Sequence, residues 1–105
     1  MSKRYSDELL RKLRNDIPIN NLIADILKMP SKISEGQFRF LCPRCKEFQT
    51  ATNLKTNLGR CFNCEINFNP IEIVMAEKHM GFVDSVEFLK SLKRSDVVVW
   101  LKSFS

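Results

Sequence analysis

The 105-residue chain holds one histidine, three glycines, four prolines and four cysteines. Each scarcity excludes something. A lone histidine, His79, has no second imidazole for a His-based metal site and no nucleophile beside it, so it reads as a surface or half-buried helix residue. The glycines, Gly36, Gly59 and Gly81, stand far apart and form no Gly-rich phosphate loop. The acidic residues are scattered over helix starts and solvated faces, which gives no carboxylate cluster for metal-dependent nucleotidyl transfer. No apolar run is long enough to span a membrane, and Met1-Ser2-Lys3-Arg4 lacks the apolar core of a signal peptide. The expected setting is cytoplasmic, where thiols stay reduced.

The four cysteines fall in two tight pairs, Cys42-Pro43-Arg44-Cys45 and Cys61-Phe62-Asn63-Cys64, with fifteen residues between them. A two-residue gap lets one turn point both sulfurs at one ion. Two such knuckles supply four thiolates and close a tetrahedral zinc site. A closed site has no position for an activated water, so the metal is structural and any activity belongs to the surface around it. Two disulfides, or iron in a rubredoxin-like site, would use the same residues; reducing conditions disfavour the first. A core of this size is marginal, and zinc contributes roughly 10–16 kcal/mol in small zinc peptides.

The formal charge is +5, and four thiolates with a divalent ion lower it by two. Its distribution is more informative than its size. From Gln37 to Cys64 there are five basic residues, Arg39, Arg44, Lys46, Lys55 and Arg60, against the single acid Glu47. Lys3, Arg4, Arg11, Lys12 and Arg14 form a second basic cluster, read first as a solvated helix face.

The pattern predicts an α+β fold in one domain over 1–105: a helical segment over 1–30, a zinc ribbon over 37–68, helices over 69–95 and an apolar tail over 96–105. Ser6 caps a first helix to Asn15, with Leu9, Leu10 and Leu13 as its stripe. Pro18 opens a second, carrying Ile19, Leu22, Ile23, Ile26 and Leu27, and Pro30 ends it. Ser31 to Gly36 reads as a polar loop. Strands are expected over 37–41, 49–55 and from Arg60 to Phe62. Asn69-Pro70 starts a helix that Gly81 stops, and Asp84 or Ser85 caps the next. The tail from Asp96 to Phe104 either folds back as a short helix or docks a partner through Trp100, Leu101 and Phe104.

The stretch from Asp16 to about Leu92 resembles the N-terminal zinc-binding domain of bacterial DnaG-type DNA primases. Gly36-Gln37-Phe38-Arg39-Phe40-Leu41-Cys42-Pro43 is similar to that family's strand into a Cys-Pro-x-His knuckle. Cys61-Phe62-Asn63-Cys64 resembles its Cys-Phe-Gly-Cys, Asn69 stands where a capping Asp falls, and Gly81 to Val86 resembles its Phe-x-Glu-Ala-Val segment. Cys45 takes the place of the family's histidine ligand, Asn63 that of a glycine, and Asn67-Phe68 that of a Gly-Gly pair. The resemblance implies a domain that contacts single-stranded template, and a polymerising centre elsewhere.

The expected function is therefore a zinc-dependent, non-catalytic, single-stranded DNA-binding accessory to a separate polymerase, primase or helicase. Its phosphate contacts would be Arg39, Arg44, Lys46, Lys55 and Arg60, with Phe48 as the better exposed stacking face. Phe38, Phe40 and Phe62 are further candidate stacking faces, but Phe38 and Phe40 read first as core packing and Phe62 as a shield for the metal or core. The alternative is a protein-interaction module with a purely structural ribbon. A duplex reader is disfavoured because the helix after Asn69 offers Glu72, Glu77 and Lys78 instead of a base-reading face.

Overall fold

The computed structural model describes residues 5–92. Trp100, Leu101 and Phe104, with Lys3 and Arg4, lie outside the described residues. Helix α1 spans Asp7–Asn15, and Ser6 caps it by accepting the Leu9 N–H on its hydroxyl. Helix α2 begins at Ile19–Asn21 behind Pro18 and widens into a π-helical turn over Leu22–Ile26, closed by the Leu27 N–H to the Leu22 carbonyl at 2.8 Å. Lys28, at φ 53°, turns the chain out before Pro30 is reached.

The segment expected to be a loop is a strand. β1 (Ser31–Ser34) pairs antiparallel with β2 (Gln37–Phe40), with Ser31 opposite Phe40 and Ser34 opposite Gln37. Glu35 and Gly36 join them at φ 54° and 74°, the positive-φ pair that a two-residue hairpin needs to match strand twist. The polar composition of β1 hid it, because this strand is mostly exposed and has no buried face to pattern.

A second, three-stranded antiparallel sheet holds β3 (Thr50–Asn53), β4 (Leu58–Cys61) and β5 (Ile66–Phe68) in the order β3-β4-β5. β5 follows the second knuckle directly and sets Ile66 opposite Cys61. The two sheets are joined through side chains. Thr50 is buried; its hydroxyl accepts the Phe40 N–H at 2.8 Å and donates to the Phe40 carbonyl, while Arg39 donates to the Thr50 carbonyl at 2.9 Å.

Helix α3 (Pro70–Lys78) starts on a reciprocal capping box between Asn69 and Glu72. It stops at His79, which takes the left-handed conformation at φ 53°. Gly81, expected to end this helix, instead precedes α4 (Phe82–Lys90) as its N-cap, and the expected caps Asp84 and Ser85 lie inside α4, Ser85 fully buried. His79 is exposed, in agreement with its reading as a surface residue.

One core joins helices to ribbon. Ile19, Leu22 and Ile23 from the N-terminal helices meet Phe40 of β2, Ile73 and Val74 of α3 and Val86 of α4, all fully buried. Phe68 meets the Phe40 ring edge-on, with centroids 6.4 Å apart. The approach depends on Gly59, because a Cβ there would lie 2.9 Å from the Phe40 ring. Asn57, buried at φ 56°, clamps the β3–β4 turn to the α1–α2 connection. It accepts the Ile19 N–H at 2.9 Å and donates to the carbonyls of Arg14 and Ile17, each at 2.7 Å.

Candidate metal centre and nucleic-acid interface

The two knuckles end alike but differ in which N–H reaches the first sulfur. In the first, the Arg44 N–H points at Cys42 Sγ (3.4 Å); in the second, the Cys64 N–H points at Cys61 Sγ (3.3 Å). Each is followed by a residue in the left-handed region, Lys46 at φ 61° and Glu65 at φ 58°. This folds the chain back, so the second cysteine of each pair faces the same point as the first. Cys42 and Cys61 are buried, while Cys45 and Cys64 are half-buried.

All four sulfurs lie within 4.8 Å of one another. Cys45 and Cys61 are 3.6 Å apart, and Cys42 and Cys64 are 4.0 Å apart. Four Zn–S bonds of about 2.3 Å in a tetrahedron place sulfurs roughly 3.8 Å apart, so the donor set fits one zinc ion. It does not fit disulfides, whose bond is about 2.05 Å, and all four cysteines are free. The thiols differ among themselves. A hydrogen bond from the Asn63 side chain lowers Cys45 to about 7, whereas burial raises Cys64 to about 12 and also raises Cys42.

The basic residues divide into committed and open groups. Arg39 is largely enclosed, donating to the Thr50 carbonyl and approaching Glu35 at 3.8 Å. Phe48 is half-buried and carries the Lys32 ammonium 4.7 Å from its ring centre. Arg44 and Lys46 are exposed on the first knuckle, and Arg44 borders an apolar groove with Ile66, Met75 and Met80. Lys55 is exposed on the β3–β4 turn.

Phe62 departs from its expected role as a shield. It is 53 % exposed and stands over the sheet with the Arg60 guanidinium 5.8 Å from its ring centre. As the residue between the two cysteines of an outward-facing turn, it points away from the metal. Together with Asn53, Leu54, Thr56 and Asn67, this pair lines an open hollow of about 490 Å³ on the outer face of β3-β4-β5. From the sequence Phe62 is a candidate stacking face ranked below shielding, and the hollow's amides carry no signal at all. The signal available was the position of Phe62 inside a C-x2-C turn, where a side chain has little room to turn inward.

A ribbon of two cysteine knuckles on short antiparallel strands, enclosed by helices, defines the class of structural zinc ribbons. The family model described as the CHC2 zinc finger, the zinc ribbon of DnaG, matches residues 5–102, and the chain belongs to that family. The family's Cys-His-Cys-Cys set is here four cysteines, with Cys45 in the histidine position. A DNA primase of Streptomyces coelicolor is 28% identical over 91 residues, which cover 85% of this chain and 14% of that protein. The chain thus spans about one seventh of that relative's length. No solved structure matches significantly.

Proposed function

We propose that this domain binds single-stranded DNA across the outer face of β3-β4-β5, and that it serves in DNA replication as a non-catalytic template-recognition element. The observation that carries this reading is the exposed Phe62 ring with the half-buried Arg60 guanidinium beside it over the hollow. A single strand needs a ring on which a base can stack and a cation for its phosphate, side by side, and this pair offers both. Exposed Lys55 on the β3–β4 turn, with Arg44 and Lys46 on the first knuckle, extends positive charge beyond the hollow. Arg39 is engaged by the Thr50 carbonyl and Glu35, and Phe48 by the Lys32 ammonium, so neither counts among the contacts of this face. Zinc, held by Cys42, Cys45, Cys61 and Cys64, supplies no chemistry beyond fixing the strands. The polymerase, primase or helicase that would use such an element is a separate cytoplasmic partner in this reading.

Anisotropy with a labelled single strand, using zinc-loaded protein, tests the proposal. Binding should be micromolar or tighter at low salt and weaken as salt rises. Arg60→Ala with Phe62→Ala should cost about tenfold or more, with zinc content and circular dichroism unchanged. Arg44→Ala with Lys46→Ala should flatten the salt slope by about 1.4, at about 0.7 per lost phosphate contact. Absence of binding at low salt would refute the proposal. It would favour the second reading, a protein-interaction module, whose supporting observation is an apolar groove of about 360 Å³ between α1 and α4 lined by Leu9, Leu13, Ile17 and Leu89.

A further inference from the structure

The hollow beneath Phe62 has an imbalance of hydrogen-bonding groups. Asn53 Oδ1 already accepts two backbone N–H groups, from Lys55 at 2.9 Å and Thr56 at 3.4 Å. A carbonyl oxygen has two lone pairs, so this acceptor is filled. Asn67 Oδ1 accepts from the Arg60 guanidinium at 3.4 Å. Both amide orientations are dictated by chemistry, since a backbone N–H and a guanidinium can only donate. The amino groups of Asn53 and Asn67 and the remaining N–H groups of Arg60 are left as donors. Against these donors stand the Thr56 hydroxyl oxygen, whose proton turns to the Asn53 carbonyl oxygen at 3.4 Å, and the second lone pair of Asn67 Oδ1, so donors still outnumber acceptors among these side chains. Gln37 and Thr52 can serve with either sign, and among the described residues no carboxylate lines the hollow.

A donor-rich hollow beneath a stacking ring favours a base edge rich in acceptors. Guanine presents O6 and N7 and thymine presents O4, while cytosine and adenine present an exocyclic amino group that donates. We infer that this hollow selects keto-bearing bases, thymine, uracil or guanine, over the amino-bearing cytosine and adenine. The inference rests on the reading of this face as a single-strand surface and adds to it the chemistry of the preferred base.

Oligo-dT, oligo-dU and oligo-dC of about twelve nucleotides separate the possibilities, a length that spans one such face. dU and dC share backbone and ring size and differ in the donor–acceptor pattern of the base edge. dU and dT differ by a methyl group that Leu54 could contact. With zinc-loaded protein, oligo-dU and oligo-dT should bind alike, each at least about fivefold tighter than oligo-dC. Asn67→Asp keeps an acceptor for Arg60 and exchanges the Nδ2 donor for an acceptor, so it should bring the dU-to-dC ratio to about one or below. Asn53→Asp, which preserves its turn, should move the ratio the same way and serves if the first variant loses zinc. Equal binding of dU and dC, or a dT preference that dU does not share, overturns the inference and leaves single-strand binding standing. A ratio unmoved by the folded Asp variants removes the preference from this hollow. No binding of any of the three strands overturns the single-strand reading and the inference with it.

Discussion

At the scale of single residues, the position with most to say is Cys45. It stands where the family's histidine falls, and its sulfur lies 3.6 Å from Cys61 Sγ within a closed donor set. Zinc accepts thiolate and imidazole equally, with bonds of about 2.3 and 2.0–2.1 Å. Cys45 is half-buried at the edge of the site, where a longer ring has space to turn outward. Cys45→His should therefore retain about one zinc per chain by elemental analysis. Cys45→Ser should not, because a hydroxyl is a poor zinc ligand and leaves three thiolates around the ion. Zinc retained in full by the serine variant would mean that Cys45 is not a ligand.

At the scale of elements, the ribbon and the helices are held in register by side chains that reach between them. Asn57 is the clearest case, with three hydrogen bonds to the α1–α2 connection made from a buried turn. Its left-handed backbone is one that asparagine tolerates better than most residues. Asn57→Ala would strand the Ile19 N–H and two carbonyls away from water, and each such loss costs about 1–3 kcal/mol when unrelieved. Chemical denaturation of the zinc-loaded variant should show a loss of about 2–4 kcal/mol; a change below about 0.5 kcal/mol would mean that the clamp is not a stabilising link. The sequence made part of this arrangement legible. Ser6, Asn69-Pro70 and the Leu and Ile stripes act locally, and the structure forms helices where they indicate. Asn57-Leu58-Gly59 was legible as a turn, but its partners lie about 40 residues away, and no local pattern names them. β1 was illegible because it buries no face, and the end of α3 was assigned to Gly81 because His79 in a left-handed conformation gives no compositional sign. The metal ligands were readable because their spacing is itself the geometry. The hollow on the outer sheet was not, since it exists only when β3, β4 and β5 lie side by side.

At the scale of the whole molecule, the zinc centre ties the hairpin β1–β2 to the sheet β3-β4-β5, because each knuckle leaves a different sheet. Among the described residues the two sheets are otherwise joined by Thr50 and Arg39 contacts to β2 and β3 and by the shared core. The tendency to lose the ion is set by protons. Zinc binds thiolate, so each thiol that is protonated in the metal-free protein must release its proton on binding. Burial raises Cys42, and raises Cys64 to about 12, so both remain protonated across neutral pH and compete with zinc there. Cys45, held at about 7 by the Asn63 side chain, is protonated below that pH and ionised above it. Apparent zinc affinity must therefore rise with pH, and one proton fewer is displaced above pH 7 than below it. Competition with a chromophoric chelator across pH 6–8 should give a slope of log affinity against pH that falls by about one through pH 7. In Asn63→Ala the break should move upward, toward the ordinary thiol range, while the affinity at pH 8 falls. A slope that stays constant from pH 6 to 8 would show that Cys45 does not ionise in that range, and that the Asn63 contact does not set the order in which the thiols become available to the metal.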